Sequence, residues 1–309
     1  RLLEPATALA ADGFPVAEVT SEEWHNQAAF LRGDPEAART FVPDGHPLAF
    51  GAMFRNADLA RTYTEIAANG ADAFYRGWIA DSIAGDMARN GGLISKRDLA
   101  EYAAKERRPV HGTYRGYDVY AMAPPSSGGV ALVQMLNIAA LFDLRSQPRY
   151  APRTLHLTIE AMRRAYLDRA KHLGDPDFVP VPVERLTSKE YAAQLAAGID
   201  PDRASVSTQL APELLAAATA IESEETTHIS VVDGNGTAVA LTYTLEGGFG
   251  SHVVVRGTGV LLNNEMGDFN KKPGHTSLSG DIGTPANLIA PGKRMLSSMT
   301  PTIVARDGQ

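Results

Sequence analysis

Cysteine is absent from all 309 residues, and with it go disulfide frameworks, thiolate zinc sites and cysteine nucleophiles. The redox compartment is left open. No block of like charges exceeds three residues, so the sequence offers no electrostatic footprint for phosphate backbones or anionic membranes. Nucleic acid is not an expected partner. The longest apolar stretch, Gly128 to Phe142, is interrupted by Gln134 and Asn137 and is too short to cross a bilayer. No membrane span is expected. Several catalytic signatures are missing as well: there is no Gly-x-Ser-x-Gly elbow, no phosphate-binding Gly-x-x-x-x-Gly-Lys, no Gly-x-Gly-x-x-Gly after a strand and no His-Glu-x-x-His. The 8 histidines do not cluster at metal-ligand spacing, so neither a metal centre nor another cofactor is expected.

What remains is an ordinary soluble globular composition, with 29 Lys and Arg against 36 Asp and Glu for a net charge of −7, 44% hydrophobic residues and 21% charged ones. The chain starts at Arg1 without a methionine and stops in the turn-like Arg306-Asp307-Gly308-Gln309, so both ends are expected to be cut from something longer.

The first two thirds reads mainly as helix. Asn56 caps a periodic run through Leu59, Tyr63 and Ile66 that ends at Asn69-Gly70, and Ser95 with Asp98 forms a capping-box-like start. Between Thr154 and Gly174, Leu155, Ile159, Met162 and Tyr166 recur at helical spacing, which predicts a core-facing stripe with Arg163, Arg164 and Asp168 in solvent. Arg115 to Tyr120 alternates like a strand, and Pro124-Pro125-Ser126-Ser127-Gly128-Gly129 breaks it before a buried helix. Such a turn either binds an anion on free amides or makes a tight connection.

Past Pro201 the character changes. An alanine-rich helical stretch from Ala211 to Ala220 leads to the acidic Glu222-Ser223-Glu224-Glu225, after which β-branched runs at 226–232 and 237–244 flank Asp233-Gly234-Asn235-Gly236, a strong hairpin signal. Pairing Asp233 with Gly236 sets Thr226 opposite Tyr243, with Thr244 its diagonal neighbour. Two threonine hydroxyls near the open end of a hairpin fit either a plain cross-strand pair or a catalytic one. Further β character appears at 253–255, 259–262 and 300–304.

The blocks Thr226-Thr227-His228-Ile229-Ser230-Val231-Val232-Asp233, Thr242-Tyr243-Thr244-Leu245, Leu261-Leu262-Asn263-Asn264-Glu265-Met266-Gly267-Asp268-Phe269 and Leu296-Ser297-Ser298-Met299-Thr300-Pro301-Thr302 resemble the γ-glutamyltranspeptidase family in order and spacing. Asn90-Gly91-Gly92-Leu93-Ile94, Tyr114-Arg115-Gly116-Tyr117, Pro124 to Gly129 and Gly174-Asp175-Pro176-Asp177-Phe178 match too, so the similarity covers essentially the whole chain.

The resemblance implies an α+β fold of the N-terminal-nucleophile (Ntn) hydrolase type, a four-layer αββα sandwich with two stacked antiparallel sheets. It further implies a precursor that cuts itself between Glu225 and Thr226. Residues 1–225 would then be the large-subunit portion and 226–309 the first part of the small subunit, both intertwined in one domain. By this resemblance Thr226 is the nucleophile and Thr244 orients it. Glu265 and Asp268 match the acidic positions that hold a substrate ammonium, and Ser297 and Ser298 those that hold its carboxylate. The chemistry is coherent, since a threonine hydroxyl needs an adjacent base and a freed α-amine titrating near pH 8 can serve. Glu246 stands where many members carry an asparagine, and Ser279 where many bacterial members carry a tyrosine. A carboxylate at 246 accepts from an ammonium but cannot donate to a carboxylate.

The implied activity is hydrolysis of γ-glutamyl amides such as glutathione, with amino acids or peptides as alternative acceptors to water. The implied location is periplasmic or secreted, with a cytoplasmic one still open. Two alternatives stay open: an acylase for other dicarboxylic acyl groups, as in cephalosporin acylases, and an uncleaved γ-glutamyl-peptide binding protein. The family's oxyanion-hole glycines are expected beyond the equivalent of Gln309, and its carboxylate-clamping arginine before that of Arg1. An oxyanion hole contributes about 3 kcal/mol or more to an acyl-transfer barrier, so a chain ending there is expected to catalyse poorly.

Overall fold

A computed structural model of the chain describes residues 1–210, 226–275 and 282–307. Helices alternate with short antiparallel ladders, which makes the fold α+β. The residues fall into two units, Arg1–Lys105 with Thr244–Glu265, and Glu106–Tyr243 with Met266–Gln309. The helix expected at Ala211 to Ala220, the cleavage residue Glu225 and the departure at Ser279 all lie outside the described residues.

The first unit is helical: α1 (Glu4–Asp12), α2 (Glu18–Leu31), α3 (Pro35–Phe41), α4 (Ala57–Asn69), α5 (Ala71–Tyr75), α6 (Trp78–Asn90) and α7 (Lys96–Glu101), with a short ladder of β1 (Phe14–Pro15) on β2 (Met53–Phe54). Sequence punctuation decides the helix ends as expected. The Asn56 side chain accepts from Leu59 N at 3.0 Å, Gly70 ends α4 at φ 69°, and the Ser95–Asp98 capping box is formed. An aromatic core forms around Trp24, whose ring meets Phe54 edge-on at 5.0 Å, while Phe41 meets Phe249 at 5.2 Å.

Phe249 comes from the returning segment 244–265, which is bonded into these helices along its length. Thr62 donates to the Thr258 carbonyl at 2.7 Å, Arg256 N donates to Asp86 at 2.6 Å, and Asn56 Nδ2 donates to the Gly259 carbonyl at 3.2 Å. A side chain at Gly259 would collide with that asparagine, so glycine is required there.

In the second unit β3 (Val110–Tyr114), β4 (Tyr117–Ala121) and β7 (Thr302–Ala305) form an antiparallel sheet in that order. The strand read from Arg115 starts two residues later: Arg115 and Gly116 have φ of 51° and 85° and make the turn, with Tyr114 opposite Tyr117. The buried helix α8 (Gly128–Ala139) packs on this sheet and on α9 (Pro152–His172), with α10 (Val183–Leu186), α11 (Lys189–Ala197) and α12 (Ser207–Leu210) following.

Helix α9 is turned the opposite way from its hydrophobic pattern. Leu155, Ile159, Met162 and Tyr166 are 45%, 53%, 39% and 42% exposed, whereas Glu160, Arg164 and Asp168 are buried. The physical reason is a satisfied ionic network. Glu160 accepts from Arg164 at 2.6 Å, Arg163 at 2.6 Å, Ser205 Oγ at 2.5 Å and Ser205 N at 3.1 Å, while Arg164 also donates to the carbonyls of Leu195 and Gly198. Asp168 is met by Gln134 at 2.6 Å and Tyr191 at 3.0 Å. Every buried charge on this face has partners, which is the condition under which burial is tolerated.

Burial alone would raise the Glu160 carboxyl, but the bonds from Ser205, Arg164 and Arg163 outweigh it and hold the group down, from 4.5 to about 2. A folded pKa below the unfolded one contributes stability above about pH 4.5, lost as pH falls toward 2. Ser205→Ala is therefore expected to lower stability at pH 7 by about 1.5–3 kcal/mol. In urea titrations the gap from the parent should narrow on acidification, and a gap independent of pH would contradict the role given to Glu160.

The expected hairpin is present as β5 (Thr226–Val232) and β6 (Ala238–Thr244), but its register is one residue away from the expected one. Asp233 N donates to the Thr237 carbonyl at 3.0 Å, and His228 meets Thr242 across the strands at 2.7 Å, so Tyr243 falls opposite Thr227 rather than Thr226. Gly236 is the cause. At φ 84°, with its N–H on the Asp233 carbonyl, it takes the left-handed position of a three-residue loop, which adds a residue to the turn. The Asp233 carboxylate locks this loop by accepting from Asn235 N and Thr237 N, each at 2.8 Å, and those bonds hold its pKa below the usual value. Among the described residues no helix is long and apolar enough to cross a membrane.

Candidate active site

Thr226 is the first residue of β5 and is exposed; Thr244 is the last residue of β6 and is half-buried. The hydroxyl of Thr244 is oriented by its own chain: its Oγ1 accepts from Glu246 N at 2.9 Å. Glu246 makes that bond from a left-handed backbone, φ 74°, a conformation costly for a residue with a long side chain.

The strained residue is bracketed by Asn264. Asn264 N donates to the Leu245 carbonyl at 3.0 Å, and the Asn264 side-chain oxygen accepts from Gly247 N at 2.9 Å. Residues 245–247 are thereby lashed alongside 263–265, which brings the stretch carrying Glu246 beside the stretch carrying Glu265. Glu265 is buried at 9% exposure, and its N–H donates to the Asn263 side chain at 3.1 Å. Thr244, Glu246 and Glu265 thus belong to one local construction in the first unit.

Asp268, Ser297 and Ser298 belong to the second unit with Thr226. The Pro124 to Gly129 turn resolves in favour of a tight connection, because its amides are taken. Ser126 N donates to the Ala123 carbonyl, Ser127 N to the Ser297 carbonyl at 2.7 Å, and Gly128 N to Ser126 Oγ. What the turn grips is the serine pair. Ser297 N donates back to the Pro125 carbonyl at 3.0 Å, Ser127 Oγ donates to the Ser297 carbonyl at 2.8 Å, and Ser126 Oγ donates to the Met299 carbonyl at 2.5 Å. Arg169 Nε donates to Ser127 Oγ at 3.0 Å and completes the clamp. Ser297 Oγ accepts from Met299 N at 3.1 Å, which uses the hydroxyl as an acceptor and fixes its orientation.

A second tie links the serine stretch to Asp268. The carboxamide of Asn287, 3% exposed, donates from Nδ2 to the Asp268 carbonyl at 2.7 Å and accepts on Oδ1 from Leu296 N at 2.9 Å. Upstream, buried Asp175 accepts from Arg294 N at 2.9 Å, which explains the structural value of the Gly174 to Phe178 block. Asn264, Ser126, Ser127, Arg169 and Asn287 were not legible as supports from the sequence, although Ser126, Ser127 and Asn264 sat inside matched blocks. Among the described residues no group of histidines and carboxylates could hold a metal ion. Each unit thus carries its own braced polar element: in the first the Asn264-bracketed stretches with Glu246 and Glu265, in the second the serine stretch held by Ser126 and Ser127 and tied to Asp268 through Asn287.

The sequence profile described as Gamma-glutamyltranspeptidase matches residues 1–309. The glutathione hydrolase proenzyme of Escherichia coli (strain K12) is 46% identical over 310 aligned residues, covering 100% of this chain and 53% of that protein. Among solved structures, a cephalosporin acylase from Bacillus halodurans superposes with a TM-score of 0.81 at 28% identity, over 99% of this chain and 53% of the other. The Helicobacter pylori gamma-glutamyltranspeptidase superposes with a TM-score of 0.66 at 39% identity, over 67% of this chain and 60% of the other. The chain spans about half the length of the curated relatives it matches.

Proposed function

The chain belongs to the γ-glutamyltranspeptidase family, and from that premise we propose that it acts as a γ-glutamyl hydrolase and transferase built around Thr226. The observation that supports this reading is a pair of braced polar elements, the Asn264 bracket beside Thr244, Glu246 and Glu265 and the Ser126–Ser127 clamp under Ser297. Such positioning of polar groups is what a preorganised site requires.

In maturation, the Thr226 hydroxyl attacks the Glu225 carbonyl carbon. The peptide C–N bond breaks as the ester forms, and water then hydrolyses the ester to release the Glu225 carboxylate and a free Thr226 α-amine. In turnover, that amine takes the hydroxyl proton while Thr226 Oγ attacks the γ-carbonyl of a γ-glutamyl amide such as glutathione. The leaving amine departs with a proton, and water or the amino group of an amino acid or peptide attacks the ester to regenerate the threonine. Thr244 donates to the Thr226 oxygen, Glu246, Glu265 and Asp268 accept from the donor ammonium, and Ser297 and Ser298 donate to its carboxylate.

The same reading includes the four-layer αββα arrangement, large and small subunits formed from one precursor at the 225/226 bond, and a periplasmic or secreted location. The acylase reading is favoured by one observation, the TM-score of 0.81 with a cephalosporin acylase, and it differs in requiring no donor ammonium.

Hydrolysis of γ-glutamyl-4-nitroanilide by the full-length protein tests the reading, and Thr244 gives the sharper form of the test. Loss of one hydrogen bond worth about 1.5–2 kcal/mol slows a step about 10- to 30-fold. Thr244→Ala is expected to slow both self-cleavage and turnover by that factor, and Thr244→Ser to restore both. Unchanged rates in the alanine variant would remove Thr244 from the mechanism.

A further inference from the structure

On the reading above, a donor head is held at two points, its ammonium by carboxylates that include Asp268 and its carboxylate by Ser297 and Ser298. In free amino acids these charges sit on one carbon, so the distance between the two holding points decides whether both can be engaged together. Within the second unit the Asn287 side chain bridges the two segments that carry these points. Asn287 Nδ2 donates to the Asp268 carbonyl at 2.7 Å, and Asn287 Oδ1 accepts from Leu296 N at 2.9 Å, one residue before Ser297.

The carboxamide is itself held still. Its backbone carbonyl accepts from Asn270 N at 2.9 Å, Asn270 Nδ2 donates to the Thr284 carbonyl at 2.8 Å, and Lys293 Nζ spans the carbonyls of Ala286 and Leu288 at 2.8 and 3.0 Å. Burial at 3% exposure excludes water from competing for either end. The partners also fix which end of the amide is which, because a backbone N–H demands the oxygen and a carbonyl demands the NH₂.

We infer that Asn287 is a positioning residue for donor recognition: it fixes the spacing between Asp268 and the Ser297–Ser298 pair, and so makes the enzyme select donors that carry an ammonium and a carboxylate on the same carbon. The inference rests on the proposed roles of Asp268 and the serines. It adds a residue that touches no substrate. A donor with only one of the two charges uses only one holding point and is indifferent to the spacing. A donor with both feels every displacement, and a misplacement of about 1 Å is enough to cost up to 100-fold in rate.

The experiment compares kcat/KM for three anilides in the full-length protein: γ-glutamyl, with both charges; glutaryl, without the amine; and 4-aminobutyryl, without the carboxylate. Asn287→Ala removes both bonds, and Asn287→Asp keeps the acceptor for Leu296 N while setting an oxygen against the Asp268 carbonyl. Each variant is expected to lose about 10- to 30-fold on the γ-glutamyl anilide, chiefly through KM, and less than about 3-fold on the other two. Because the three donors are compared in one preparation, partial misfolding lowers all three alike and does not mimic the result. An equal loss on all donors, or an unchanged γ-glutamyl preference in both variants, overturns the role given to Asn287. Equal values for γ-glutamyl and glutaryl anilides in the parent protein overturn the underlying reading of the donor site as well.

Discussion

Thr226→Ala in the full-length protein is expected to yield a single uncut chain whose turnover of γ-glutamyl anilide is at least about 10⁴-fold below that of the parent. One hydroxyl serves two reactions, so one substitution removes both. Without it the Glu225 carbonyl has no internal nucleophile, no new α-amine is released, and the general base is lost along with the nucleophile. The methyl group of alanine adds nothing that could substitute. Thr226 is exposed at the first position of β5, and the hairpin behind it is held by the Asp233 loop rather than by the Thr226 side chain, so the variant is expected to fold. Thr226→Ser keeps the hydroxyl and is expected to process, more slowly. Two fragments from the alanine variant on a denaturing gel would place the nucleophile elsewhere.

The second large effect concerns the donor. Kcat/KM for γ-glutamyl anilide is expected to exceed that for glutaryl anilide by about 10³-fold, because a donor without the ammonium forfeits its charge-assisted hydrogen bonds to the carboxylates of the site. Glu246 and Glu265 are carried on stretches lashed together by Asn264, so both carboxylates are placed to serve one cationic head. Glu246→Asn should reduce this preference while suiting the left-handed backbone at φ 74° better than glutamate does. The acylase reading predicts comparable values for the two donors. An unchanged preference in Glu246→Asn would show that its carboxylate has no part in donor selection.

Where local chemistry decides, the sequence was a good guide. The Asn56 cap, the Gly70 stop and the Ser95–Asp98 box each depend on residues within one turn of helix, and all stand as expected. The hairpin was legible in kind but not in register, because Asp-Gly-Asn-Gly permits either a two-residue turn or a three-residue loop with Gly236 left-handed, and the Asp233 bonds select the second.

Helix α9 shows a deeper limit. Periodicity reveals a stripe, but the stripe that faces inward is set by partners on other elements. Ser205, Leu195, Gly198 and Tyr191 satisfy Glu160, Arg164 and Asp168, and no hydropathy pattern contains that information. The same holds for the candidate site. The order of its blocks carried the resemblance, while Asn287 was invisible because an asparagine in a proline-rich loop has many possible uses and its two partners lie 9 and 19 residues away in sequence.

In the proposed mechanism an acyl group is carried on Thr226 as an ester after the chain has been cut before it. The most direct test is intact-mass analysis of full-length protein quenched in acid during steady-state turnover of γ-glutamyl anilide. A fragment beginning at Thr226 is expected to gain the mass of one γ-glutamyl group, with the adduct mapping to its N-terminal residue and disappearing when the donor is exhausted. Turnover with the adduct on another residue, or adduct formation on an uncut chain, would contradict it.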